Sequence, residues 1–444
     1  MQSRGRWAAV LAAVSTLFLS LPAQAVADTQ SRNASPDFHG RHLGGIGKEA
    51  LRDNRVRNHT EKAHSIAESC SPTAPGSTER RVGAVSACTA TAITSTQTAK
   101  TTAAAARADT QEDAGLCSIT DPGKWHFERL SACLREMTVN FTLRDEKQQV
   151  LGSAVFYVSS NTTLNPRSGL WNEDLTVEAT HFQKAVTSVS MTFEVGCTAN
   201  CKATQKNPWV GIKTLTDGQV AVGRVAYSDV PAVGLADATT INYHLNIATS
   251  GTPLTQPDVS WSNPRSIRCD SALTESGNTS TGCALPSITP ELSLPLQTYG
   301  AAAATYEWAQ YHLPDKWGLY SGKPLTRALD GPVRRRKTCE DQSSVPFVRK
   351  PSDQVPNDSC DEFPFASTWQ GGTDGGLCAE IVMLLEDGEW QAYEADPARP
   401  VTMKEHCVRG HVPLDVNQLA GTAYSNLIQG QRLIDKDPFH VSTS

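Results

Sequence analysis

The chain has 444 residues, 39% of them apolar and 19% charged, with 25 Pro, 31 Gly, 12 Cys and a formal charge of −6. Its length allows about three domains at roughly 150 residues each, and this composition excludes membrane-embedded, collagen-like, coiled-coil and wholly disordered chains. The negative balance excludes binding of nucleic acid by bulk charge, so any such role needs a local site.

Met1 to Ala27 reads as a secretory signal peptide. Arg4 and Arg6 supply the positive start, Ala8 to Leu21 the apolar stretch, and Ala23-Gln24-Ala25 or Ala25-Val26-Ala27 the cleavage site. No later run approaches the ~20 apolar residues a spanning helix needs, so a secreted, extracellular chain with no stable membrane association is expected. In an oxidising compartment the twelve cysteines read as six disulfides. Sequential pairing would give six local loops, although spacing leaves the connectivity open. Zinc at Cys197-x-x-x-Cys201 is the lesser alternative, because no second close pair follows it.

Residues 28–115 are polar and poor in large apolar side chains, which predicts a disordered leader or pro-region with one local loop at Cys70 to Cys88. Over 116–290 the pattern turns to period two. Val139, Phe141 and Leu143 alternate with polar residues, as do Val189 to Val195 and Ile241 to Ile247, with further β-rich runs at Ser153 to Val158 and Gln219 to Tyr227. This predicts an all-β sandwich-like accessory domain. An α+β domain is expected over 295–444, opened by a helix from Gly300 to His312 that Pro314 stops. A basic run, Arg334-Arg335-Arg336-Lys337, then precedes four cysteines and a Pro-punctuated loop.

Gly-x-Ser-x-Gly, P-loop, Gly-x-Gly-x-x-Gly and His-Glu-x-x-His signatures are absent. His406 and His411 read as surface or loop residues unless the fold brings them to a carboxylate. The densest chemistry lies at Cys360-Asp361-Glu362-Phe363-Pro364-Phe365. In an extended segment Asp361 and Glu362 point to opposite sides, so one can face a site while its neighbour makes a structural contact. A disulfide-tied turn with solvated acids explains the same residues. Asn417 fits either a helix cap or an oxygen ligand for a hard cation; Asn426, about 2.5 turns on, would not share its face closely.

The run Asp361-Glu362-Phe363-Pro364-Phe365-Ala366, the Gly371-Gly372 pair, Asn417-x-x-Ala420-Gly421-Thr422-x-x-Ser425-Asn426 and the closing Arg432-Leu433-Ile434-Asp435 resemble the NucA/NucB secreted bacterial deoxyribonucleases over about Cys339 to Val441. The resemblance implies a ββα-metal nuclease core in which two strands and a helix hold one divalent cation, Mg²⁺ or Mn²⁺. It implies Asp361 as the acid that activates water, with Glu362 as its catalytic neighbour, and Asn417, Gln370 and Asn426 at the metal. Arg432, Arg335 and Arg336 are the candidates for gripping DNA. Gln370 stands where many members have Glu, and Val416 where they have Asp. The function expected is a divalent-metal-dependent DNA endonuclease with little sequence preference. The alternative is a non-catalytic secreted binding protein with a degenerate nuclease-like end. In either case a wall polymer or an inhibitor could partner the β domain.

Overall fold

A computed structural model describes residues 40–46, 60–63, 65–92, 115–254, 258–275 and 278–443. In chain order the strands are β1 (His42–Gly45), β2 (Thr60–Lys62), β3 (Ser69–Pro72), β4 (Ser86–Ala92), β5 (Lys124–Glu128), β6 (Ser131–Arg144), β7 (Val150–Thr163), β8 (Leu170–Lys184), β9 (Val189–Cys197), β10 (Lys202–Gln205), β11 (Lys213–Leu215) and β12 (Val220–Ser228). They continue with β13 (Ala236–Thr239), β14 (Ile241–Thr249), β15 (Asp258–Ser262), β16 (Ile267–Glu275), β17 (Asn278–Ala284), β18 (Glu291–Ser293), β19 (Leu325–Thr326), β20 (Asp358–Phe363), β21 (Ala379–Glu386), β22 (Glu389–Glu394), β23 (Val408–Pro413) and β24 (Pro438–Ser442). The helices are α1 (Thr78–Arg81), α2 (Gly115–Ile119), α3 (Leu296–His312), α4 (Gly331–Cys339) and α5 (Leu414–Gly430).

The middle of the chain folds as the alternation predicts. A nine-stranded antiparallel sheet runs β10-β12-β8-β7-β6-β4-β3, with β5 also on β6 and β2 on β5. A four-stranded sheet, β11-β9-β14-β15, covers it. Phe141, Phe156 and Val177 of the larger sheet share one core with Phe193, Tyr243 and Leu245 of the smaller, so the alternating apolar residues meet between layers. A third sheet, β13-β16-β17, completes this part.

The leader expectation is corrected where residues are described. β2, β3 and β4 belong to the sandwich, and β1 pairs antiparallel with β22 as the edge of the C-terminal sheet. Composition hid them because β4 is built of Ser, Ala, Thr and Cys, and its pairing to β6 supplies the order that its side chains do not advertise. The signal peptide and the Thr/Ala-rich stretch lie outside the described residues. All six disulfides are sequential: Cys70–Cys88, Cys117–Cys133, Cys197–Cys201, Cys269–Cys283, Cys339–Cys360 and Cys378–Cys407. The zinc alternative at Cys197 and Cys201 is thereby removed. No helix among the described residues is long and apolar enough to cross a membrane.

The C-terminal domain is a five-stranded sheet, β1-β22-β21-β23-β20, with β21 and β23 parallel and the other pairs antiparallel. Helices α3 and α5 pack on one face and share a core with Phe363, Ile381, Val408 and Val412. Helix α3 begins four residues before the predicted Gly300, which takes φ +41° inside it, and stops before Pro314 as predicted. Glycine tolerates that left-handed kink. Between the domains lies a buried ion network. Arg129 and Arg268 of the sandwich bind Asp437 at 2.7 and 2.8 Å, and Arg432 reaches back to Asp270 at 2.7 Å.

Candidate active site

Strand β20 lies at the free edge of its sheet, yet all six of its residues are buried, three of them acidic. Alternation sorts them. Asp361 and Phe363 face α3, where the Tyr306 hydroxyl donates to Asp361 Oδ2 at 2.6 Å and the Tyr306 ring packs 5.6 Å from that of Phe363. Cys360 and Glu362 face α4, where Cys360 is bonded to Cys339 and Glu362 Oε2 accepts from Arg335 Nη1 at 2.8 Å. The expectation that the two acids point apart is met. Because the strand is an edge, both still line one cleft of about 450 Å³ between α4 and α5.

The electrostatics follow from that burial. Asp361, 5% exposed, has its carboxyl pushed up to about 7, chiefly by desolvation and then by the charge of Glu362; the Tyr306 hydrogen bond and Arg335 pull the other way. Desolvation also raises Glu362, against the pull of Arg335. Tyr306 is driven far above the phenol range by burial beside Asp361, so its hydroxyl remains a donor. The Glu362 backbone N–H donates to Asp361 Oδ1 at 2.9 Å, which fixes the Asp361 carboxylate from both sides.

Helix α5 is capped by Pro413 and starts at Leu414, so Asn417 is not its cap. The Asn417 Nδ2 donates to Ser359 Oγ and to the Cys360 carbonyl, both at 3.0 Å. Those bonds use the amide nitrogen and leave Oδ1 for the cleft. Arg335 Nη2 meets the same Cys360 carbonyl at 2.8 Å, so one backbone group positions the helix-borne amide and the arginine together. Asn417, Gly421 and Ser425 lie at i, i+4 and i+8 along the cleft wall.

Five predicted residues, Asp361, Glu362, Asn417, Arg335 and Arg336, therefore meet at one cleft. Three do not. Gln370 is held by Thr326, whose N–H donates to Oε1 at 2.9 Å and whose Oγ1 accepts from Nε2 at 3.0 Å. Asn426 is exposed and off the cleft face of α5. Arg432 is fully buried against Asp270 and the Pro166 carbonyl, because the domain interface consumes its guanidinium. Its assignment to DNA is corrected on that ground. The basic run forms α4, and Arg334, Arg335 and Arg336 are each paired with an acid. Sequence reasoning missed Tyr306; its place on the apolar face of α3 signals burial and nothing of its hydroxyl's partner.

His411 lies fully buried between Asp358 Oδ2 at 2.6 Å and Glu380 Oε1 at 3.1 Å, with Arg409 also on Glu380. None of these lines the cleft, and together they brace β20, β21 and β23 from behind. His406 meets Asp315 at 2.6 Å on the surface. Cys339, Cys360 and Glu362 form a tight group with ligand-type atoms, but the two sulfurs are bonded to each other and cannot ligate. A cation here would have oxygen donors only, which suits Mg²⁺ or Mn²⁺ chemistry.

Residues 320–388 match the family model for deoxyribonuclease NucA/NucB, a span that holds β20, both cleft acids and the Gly371-Gly372 pair. The C-terminal domain is a NucA/NucB-family domain. The NucA/NucB match ends before α5, and the Asn417 bonds to Ser359 and Cys360 bring it to the site. No curated protein matches the chain.

Proposed function

We propose that the NucA/NucB domain is a secreted, divalent-metal-dependent DNA endonuclease that hydrolyses phosphodiester bonds with little sequence preference. The observation that carries this is Asp361: a buried carboxyl held by two hydrogen bonds and opening on a cleft, where burial pushes its pKa up to about 7. A general base is most effective when its pKa lies near the working pH, and the fixed orientation supplies the geometry that proton transfer needs.

The donor set fits a hard cation. Glu362 and the Asn417 Oδ1 are oxygen donors beside Asp361, and two adjacent buried acids form an environment that positive charge would relieve. Bound there, Mg²⁺ or Mn²⁺ supplies polarisation of a phosphoryl oxygen and neutralisation of developing charge. Asp361 takes the proton from the attacking water. Arg335 steadies Glu362 and, with Arg336, brings positive charge to the cleft wall. Residues 331–444 hold 11 Lys plus Arg against 17 Asp plus Glu, so DNA must be held by this local charge. Contacts to phosphate carry no base identity, hence the weak sequence preference. Two antiparallel strands, β20 and β23, with α5 following β23 directly, support a ββα-metal core.

The test is nicking of supercoiled plasmid by the oxidised mature chain with Mg²⁺, Mn²⁺ or EDTA. Cutting that needs the cation and disappears in Asp361→Ala is expected. Wild-type cutting undiminished in EDTA would overturn the metal dependence, and undiminished cutting by Asp361→Ala would overturn the assigned base.

A further inference from the structure

Among the described residues, one acid in the sandwich is buried without any donor. Asp229, directly after β12, is 2% exposed, and both of its carboxylate oxygens are buried with no hydrogen-bond partner. Only its backbone is tied, N–H to the Gly169 carbonyl at 2.8 Å. Other buried acids are all served: Glu173 by two tyrosines, Asp270 by arginines, Glu79 by Thr249. No basic side chain among the described residues acts on Asp229. The charge that acts on it is a second acid, Asp237 on β13, and burial with that neighbour pushes its carboxyl up to about 6. Above that pH the group is an ionised carboxylate out of water beside a like charge, an arrangement that is unfavourable unless a cation compensates it.

The surrounding chemistry selects the kind of cation. The segment from Asp229 to Asp237 contains no His or Cys, and the nearest cysteines along the strands, Cys197, Cys201 and Cys269, are all in disulfides. Carboxylates are the charged donors present, which favours Ca²⁺ over zinc. Asp237 Oδ2 already accepts from Asn200 Nδ2 at 2.9 Å, which orients that second carboxylate. We propose that the Asp229–Asp237 segment of the sandwich binds a divalent cation of the Ca²⁺ class, with the Asp229 carboxylate as its anionic anchor and Asp237 as the second acid. The site lies outside the nuclease domain and is independent of its function. Its occupancy orders a loop that presents Val230, Val233 and Leu235, all more than half exposed, to solvent.

The test uses the full chain, stripped with EDTA and titrated with CaCl₂, followed by thermal unfolding and by equilibrium dialysis with radioactive Ca²⁺. Wild type is expected to gain roughly 5 °C in Tm at Ca²⁺ about 100-fold above Kd. Asp229→Asn removes the buried charge while keeping the shape. It is expected to lose that gain and one bound Ca²⁺, yet to melt in EDTA at or above wild type. The crossover between EDTA and Ca²⁺ separates lost binding from misfolding. Asp237→Asn weakens the Kd at least tenfold. Absence of the Ca²⁺-dependent shift in wild type, or its survival in Asp229→Asn, overturns the proposal.

Discussion

Two buried carboxyls in this molecule begin from the same physics and end in different places. Glu173 sits in the sandwich core, fully buried, accepting from the Tyr227 and Tyr243 hydroxyls at 2.7 and 2.8 Å. Asp361 sits under α3, accepting from one tyrosine at 2.6 Å and one backbone N–H at 2.9 Å. Burial raises the pKa of both. Glu173 is enclosed by hydroxyls that bridge the two sheets and is 0% exposed. Asp361 has an acid beside it, an arginine within its field and a cleft in front. A perturbed carboxyl is therefore a functional candidate only where solvent and substrate can reach it.

The largest effect should come from Asp361→Asn. Plasmid nicking is expected to fall by about 10²–10⁴-fold, the usual contribution of a general base. The stability effect has the opposite sign. The folded carboxyl titrates near 7 instead of 3.8, so its contribution is fully present below pH 3.8 and is lost as pH rises through 7. Asp361→Asn should melt above wild type at pH 8 and level with it at pH 4, read by circular dichroism. If the variant loses activity and also loses stability at pH 8, the carboxyl is a structural anchor like Glu173 and the contrast fails.

Tyr306→Phe tests how the base is tuned. The hydroxyl favours the ionised carboxyl, so its removal moves the acidic limb of the pH–rate profile upward by about one unit. Nicking should fall about fivefold at pH 7 and recover by pH 9. A uniform loss across pH would assign Tyr306 to packing, against Phe363 and Phe365.

How much of this contrast could be read in the chain depends on range. Val139, Phe141 and Leu143 announce a strand because alternation is a local signal, and the motif at Asp361 carries its own strand geometry. Sequential cysteines close short loops, so an even count in chain order came close to the pairing. Long-range partners leave no local trace. Nothing in the run containing Tyr306 names Asp361, 55 residues on, and nothing near Arg432 reveals that Asp270, 162 residues before it, neutralises it. β1 and β4 escaped notice because small and polar residues form strands when a neighbour offers an edge.

Glu173→Gln is the counterpart experiment and should leave nicking unchanged. Glutamine has one acceptor oxygen where glutamate has two, so one tyrosine hydroxyl loses its partner in the core. A loss of about 1–3 kcal/mol in stability is expected, read from denaturant unfolding. Reduced nicking at full stability would mean that the sandwich core couples to the cleft, through the network that joins Arg129 and Arg268 to Asp437.

The smallest effect belongs to the position where the family pattern and this chain differ. If Gln370 were a metal ligand, Gln370→Glu would restore a charge and lower the Mg²⁺ concentration needed for half-maximal nicking. The geometry argues otherwise. Gln370 Oε1 accepts from the Thr326 N–H, and a glutamate oxygen can do the same, while Thr326 Oγ1 can turn from acceptor to donor. Nicking rate, Tm and the Mg²⁺ midpoint should all stay within about twofold or a degree of wild type, since a partly exposed, satisfied position tolerates such a change. A Mg²⁺ midpoint lowered tenfold or more would put Gln370 at the cation, and Thr326 would then have to release it when metal binds.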